Sequence, residues 1–269
     1  MGAATSFPFD SNEPLGLVRQ AIPAPESHAD LRAFRFEFSS RGDRVPGRLL
    51  LPPVGDGPFP LLLLQHGSAG PMDAPYLEPT AGRWARGGAA VTSIDLPLHG
   101  QRASTKFTER LLGGLRAPSR ASEDTESLVR EFVHQAVVDL RRALDALEQL
   151  PEIDGKRVAY AGFSLGTIVG ATFCGLDPRP QAASFAIGGS GVGPPEIDPA
   201  RTVGRFAPRP SLFVNATRDE VFSREAALAL FDGGGEPKEM LWFEGTHSEL
   251  PGEALEAMWL FLKRHLGIP

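Results

Sequence analysis

The sequence predicts an α/β fold: a mostly parallel central sheet of about eight strands with helices on both faces. Three observations lead there. Strand-patterned and helix-patterned segments alternate along most of the chain. Several strand candidates are continuous apolar runs, as strands covered on both faces must be. One of them ends in a serine held between two glycines, Gly162-Phe163-Ser164-Leu165-Gly166, with a helix-compatible stretch behind it.

The elements follow in order. Residues 31–40, LRAFRFEFSS, place Phe34, Phe36 and Phe38 on one face, the period of a half-buried strand. Residues 45–53, VPGRLLLPP, read as its hairpin partner, so the first two strands form an antiparallel edge. Residues 59–67, 89–97, 157–163, 182–189, 209–216 and 239–245 are the remaining strand candidates. Helices are expected at 75–87, 125–150, 165–175, 223–231 and 252–265. In 125–150, Val129, Phe132, Val133, Ala136, Val137, Leu140, Leu144 and Leu147 recur at steps of three and four, while Arg141, Arg142, Asp145 and Glu148 fall largely off that stripe. Two stretches read as irregular. Residues 100–124 are expected to form a small lid or insertion, with Phe107, Leu111, Leu112 and Leu115 as an apolar lining. Residues 188–208 are rich in glycine and proline and too short for a large cap.

A chain of 269 residues suits one α/β domain spanning 1–269. The formal net charge of −6 comes without any block of like charge, which argues against a nucleic-acid partner. One cysteine, Cys174, allows no intrachain disulfide. No apolar run reaches membrane-spanning length, and the N-terminal stretch lacks the basic-then-apolar pattern of a secretory signal, so a cytoplasmic protein is expected. Met1-Gly2 with Ser6 fits a myristoylation pattern, with no basic cluster beside it to give a second membrane signal, and is taken as a chance match. No His or Cys pair has metal-ligand spacing, so neither a metal nor another cofactor is expected. A homodimer is left open.

A serine hydroxyl is a poor nucleophile without a base to take its proton and a third group to orient that base. His247 follows the apolar run 239–243, and Asp219 follows the run 211–215. Both stand where loops reach the carboxyl edge of a parallel sheet. Glu220 is an alternative to Asp219, and a helix cap near Ser223 is the structural alternative for Asp219 itself. The oxyanion of the transition state needs backbone donors. Leu165, directly after the serine, supplies one; Ser68, beside Gly67 in QHGSAG, supplies the second. His66 and His99 read as scaffold in the loops that carry them.

The segments QHGSAG, IDLPLHGQR, GFSLG, NATRDEVF and EGTHSEL resemble, in order, the motifs of the α/β-hydrolase superfamily over residues 60–250. The compact layout is similar to the bacterial esterase and dienelactone-hydrolase-like branch. Dienelactone hydrolases proper carry a cysteine where this chain has Ser164, which turns the expectation from lactones to ordinary esters. The resemblance implies a carboxylesterase-like serine hydrolase acting on small-molecule esters, with Ser164, Asp219 and His247 as catalytic residues. Two alternatives stand beside it: a serine peptidase or amidase of the same fold, and a non-catalytic ligand-binding protein on a hydrolase scaffold.

Overall fold

Nine strands form one sheet in the computed structural model, which describes residues 7–68, 70–117 and 120–269. They are β1 (Val18–Ile22), β2 (Arg32–Ser40), β3 (Asp43–Leu51), β4 (Phe59–Gln65), β5 (Ala90–Ile94), β6 (Ile153–Phe163), β7 (Pro180–Ala186), β8 (Ser211–Arg218) and β9 (Lys238–Thr246). The order across the sheet is β1-β2-β3-β5-β4-β6-β7-β8-β9. Strands β4 to β9 run parallel to their neighbours in that group, while β1, β2 and β3 pair antiparallel and β3 joins β5 antiparallel.

The sheet has one strand more than the eight expected. Segment 18–22 is short, and only two of its five positions are even partly buried. An edge strand held by main-chain pairing to β2 shows no clear hydrophobic alternation.

Among the described residues, six α-helices pack around the sheet: α1 (Glu78–Arg86), α2 (Thr105–Arg116), α3 (Glu123–Leu147), α4 (Leu165–Leu176), α5 (Arg224–Gly233) and α6 (Gly252–His265). One apolar layer joins the sheet to α3 and α4, with Leu111 of α2 and Leu230 of α5 completing it. The other joins it to α1 and α6, where Trp84 and Trp259 stack with ring centroids 5.9 Å apart. The stripe read from the sequence of α3 is the buried face of that helix. Ser122 caps it, accepting from the Thr125 N–H, and three acidic residues in its first turn face the positive end of the helix dipole.

Residues 100–124 are not an irregular excursion: they contain the twelve-residue helix α2. Gly113 and Gly114 disguise it in the sequence, because glycine weakens helix propensity. Of its four apolar residues, Leu111 is fully buried in the core and Phe107 is 44 % exposed. The expected lining therefore reduces to Leu112 and Leu115. Residues 188–208 contain three short 3-10 turns, Pro195–Ile197, Pro199–Arg201 and Val203–Phe206. Met1-Gly2 and Ser6 of the myristoylation pattern, Ala69 of the glycine loop and Pro118 and Ser119 of segment 100–124 lie outside the described residues. No helix among the described residues is long and apolar enough to cross a membrane.

Candidate active site

Ser164 sits where β6 turns into α4, with φ 52° and ψ −112°. A non-glycine residue in this region is strained and persists only where its surroundings hold it. The elbow is held from several sides. The Ser164 N–H donates to the Ala186 carbonyl at 2.9 Å. The Tyr160 hydroxyl donates to the Gly166 carbonyl at 2.6 Å. The Thr167 hydroxyl lies 2.8 and 2.7 Å from the carbonyls of Gly162 and Ala186. The flanking glycines are needed for space: a Cβ on Gly166 would stand 2.5 Å from the Gln65 carbonyl oxygen.

His247, one residue past β9, brings its Nε2 to 2.9 Å from the Ser164 Oγ. Its Nδ1 lies 2.9 and 3.0 Å from the two carboxylate oxygens of Asp219, just past β8. An Nδ1–H that donates to the carboxylate leaves Nε2 as the acceptor for the serine proton. Burial opposes the charge on Asp219, but bonds from His247 and from the N–H groups of Phe222 and Val221 outweigh it and hold the carboxyl below its ordinary range. Glu220 instead accepts the main-chain N–H of His247 at 3.0 Å, so it anchors the loop and does not orient the imidazole. The cap of α5 belongs to Ser223, which accepts from the Ala226 N–H.

The loop after β4 completes the site. Gly67 packs so closely that a Cβ there would stand 3.1 Å from the Ser164 Cβ. His66 is fully buried and accepts the Leu96 N–H at Nε2, 3.1 Å away. Its proton is therefore on Nδ1, which donates to the Gly67 carbonyl at 2.7 Å. That carbonyl belongs to the peptide unit bearing the Ser68 N–H, so the histidine fixes the orientation of that donor. Burial is the main reason the His66 pKa falls to about 4, so the ring stays neutral. Asp95 staples the same loop to the next one, accepting from Met72 and Gln101 N–H groups at 2.8 Å each. His99 is buried against the His66 and Phe132 rings.

Two spaces meet at Ser164. A pocket of about 230 Å³ has walls of Tyr76, Phe163, Ile187, Leu250 and Leu255. A wider groove of about 770 Å³ is lined by Leu112 and Leu115 of α2 together with Leu165 and Phe222. Ser68, Ser164 and His247 border both, and Gly67 borders the smaller. Ile187, a β-branched residue at φ 45°, holds one wall from the end of β7. Sequence reasoning missed Tyr76, whose hydroxyl accepts the Gly67 N–H at 2.7 Å. Nothing local to residue 76 signals a bond nine positions back.

The six-stranded parallel core with an antiparallel edge, and the strained serine turn at the end of its central strand, define an α/β-hydrolase. Solved structures of that fold align over most of the chain. A cold-adapted esterase from an Arctic intertidal metagenomic library gives a TM-score of 0.72 at 22 % identity, over 88 % of this chain and 94 % of that one. The acetyl xylan esterase of Paenibacillus sp. R4 gives 0.76 at 19 %, over 94 % and 90 %. The chain belongs to the acetyl xylan esterase (AXE1) family, which it matches over residues 20–187. The esterase FrsA of Yersinia enterocolitica is 29 % identical over 158 residues, which are 59 % of this chain and 32 % of the relative. The match thus spans about a third of the length of that relative.

Proposed function

We propose that this protein is a carboxylic ester hydrolase that works through an acyl-enzyme on Ser164. The hydrogen-bonded chain from Asp219 through His247 to Ser164 carries this reading. Ser164 Oγ attacks the ester carbonyl and His247 Nε2 takes its proton. Asp219 keeps the imidazole in the tautomer that can accept and balances the imidazolium that forms. The N–H groups of Ser68 and Leu165 receive the oxyanion, each contributing about 3–4 kcal/mol to the transition state. His247 then returns the proton to the departing alcohol, and water repeats the sequence on the acyl-enzyme.

The small pocket and wider groove favour small to medium esters, with acetyl among the acyl groups given the family's name. We read residues 1–269 as one hydrolase domain with α2 as its small cap. The buried free thiol of Cys174 supports a cytoplasmic setting. A homodimer is part of this reading, and sedimentation tests it. A fluorophosphonate probe should label Ser164 alone, with p-nitrophenyl acetate hydrolysis lost in Ser164→Ala. An adduct elsewhere sinks the assignment. Turnover of aminoacyl anilides in place of esters would make the protein a peptidase, and ligand binding without turnover would make it a receptor.

A further inference from the structure

The Tyr76 hydroxyl has one proton and uses its oxygen to accept the Gly67 N–H. Among the described residues, that proton is donated to no protein group. The ring stands edge-on to Phe163, its centroid 6.4 Å away, and forms one wall of the smaller pocket beside Ser164. Phe163, Ile187, Leu250 and Leu255 give the pocket apolar walls, and its other polar side chains, Ser68, Ser164, His247 and Ser248, make no hydrogen bond to the Tyr76 hydroxyl. Tyr76 is 43 % exposed as a residue, and the burial its phenol does have raises it above its ordinary pKa. It therefore carries its proton throughout the neutral range, with His247 the titratable group that shares its pocket.

A polar hydrogen in an apolar pocket has a preference built in. A hydrocarbon group that displaces water from the pocket leaves the O–H unpaired, whereas a group with an oxygen at the right place satisfies it. The two spaces at Ser164 differ in size, so the smaller half of an ester fits the smaller space.

We propose that Tyr76 is a specificity-determining residue that donates its hydroxyl proton to an oxygen on the acyl group of the substrate. The preferred acyl groups are short ones bearing an ether, hydroxyl or keto oxygen, favoured over hydrocarbons of the same shape. This rests on the ester-hydrolase reading and adds the acyl chemistry to it.

The test compares p-nitrophenyl methoxyacetate with p-nitrophenyl butyrate, which differ by an oxygen in place of a methylene. The ratio of their kcat/KM values is measured for the wild-type protein and for Tyr76→Phe. Intrinsic ester reactivity cancels between the two proteins. The ratio should fall roughly tenfold or more in the variant. Loss of support for Gly67 alone would slow both esters equally, so an unchanged ratio overturns the proposal. A matching pair with the oxygen in the alcohol, 2-methoxyethyl acetate and butyl acetate, should show no dependence on Tyr76; a dependence there overturns the acyl assignment. Should Tyr76→Phe fail to fold, 3,5-difluorotyrosine at position 76 replaces it. Its phenol ionises at lower pH, and the ether preference should vanish as it does so, while the phenolate still accepts from Gly67. Persistence of the preference through that ionisation overturns the proposal. Absence of hydrolysis of every ester, with Ser164 unlabelled by fluorophosphonate, would instead overturn the underlying reading.

Discussion

A Cβ placed on Gly162 would stand 2.5 Å from the carbonyl oxygen of Gly166, a contact that backbone on backbone cannot relieve. Gly162→Ala must therefore push the first turn of α4 away from β6 and move Ser164 from His247. Fluorophosphonate labelling should slow at least a hundredfold, with a loss of about 1–3 kcal/mol in urea unfolding from the overpacked turn. Labelling at the wild-type rate would show that the elbow tolerates the methyl group.

Asp219→Asn preserves the size of the side chain but can present an amide N–H to the imidazole, which disfavours the tautomer that accepts from Ser164. The expected result is a fall in kcat of about 10³–10⁴ with KM little changed. Steady-state kinetics on p-nitrophenyl acetate check it. Glu220→Gln removes only the charge from the partner of the His247 main chain, and its effect should be far smaller.

His66 gives a pH dependence of stability. Burial in the fold lowers its pKa from the ordinary 6.5 to about 4, so the folded state favours the neutral ring. Above about pH 6.5 both states are neutral and the contribution is complete. As pH falls from there toward 4, the unfolded chain takes up the proton first and stability declines, by about 3 kcal/mol in all. Urea midpoints measured across this window should fall more steeply for wild type than for His66→Asn, which keeps a donor for the Gly67 carbonyl.

Asp139 of α3 is fully buried, paired with Arg102 at 2.6 Å and accepting from Gln135 at 2.7 Å. Arg102 also donates to the main-chain carbonyl of Asp95, so the pair ties α3 to the loop that anchors the active-site turn. Asp139→Ala leaves Arg102 only its partner Asp43, 2.9 Å away at the surface, and the Asp95 carbonyl, and takes the acceptor from Gln135; it should cost about 1–3 kcal/mol in chemical unfolding.

In the proposed assignment, the smaller pocket limits the acyl chain. Each methylene that it covers should add about 0.8 kcal/mol of binding until the space is filled, after which further carbons gain nothing. For p-nitrophenyl esters, kcat/KM should peak at about C2–C6 and fall by C12. A maximum at C10 or longer would mean that the groove lined by α2 takes the acyl chain.

The parallel core was legible because buried strands leave continuous apolar runs, and Ser164, Asp219 and His247 because each follows such a run. The glycines around the elbow were legible for the steric reason given by their contacts. What escaped the sequence depends on pairing across distance. Strand β1 is defined by its partner β2, since Val18 is 61 % exposed and carries no burial signal. Helix α2 was hidden by a glycine pair, and Tyr76 by a contact that depends on the path of the loop after β4. The environment of His66 required both Leu96 and Gly67, 30 positions and one position away.

The proposed nucleophile and its base belong to parts of the molecule with different cohesion. Ser164 directly follows β6, an interior strand whose residues 158–163 are all buried. His247 follows β9, the outermost strand, most of whose residues are only partly buried. Opening free energies fall toward such margins. Moderate urea should therefore release β9 before the remainder of the sheet, stopping catalysis reversibly in a molecule that still gives most of its native circular dichroism. Hydrogen exchange would register the same step as early loss of protection at 240–246, with 158–163 protected until the whole domain melts.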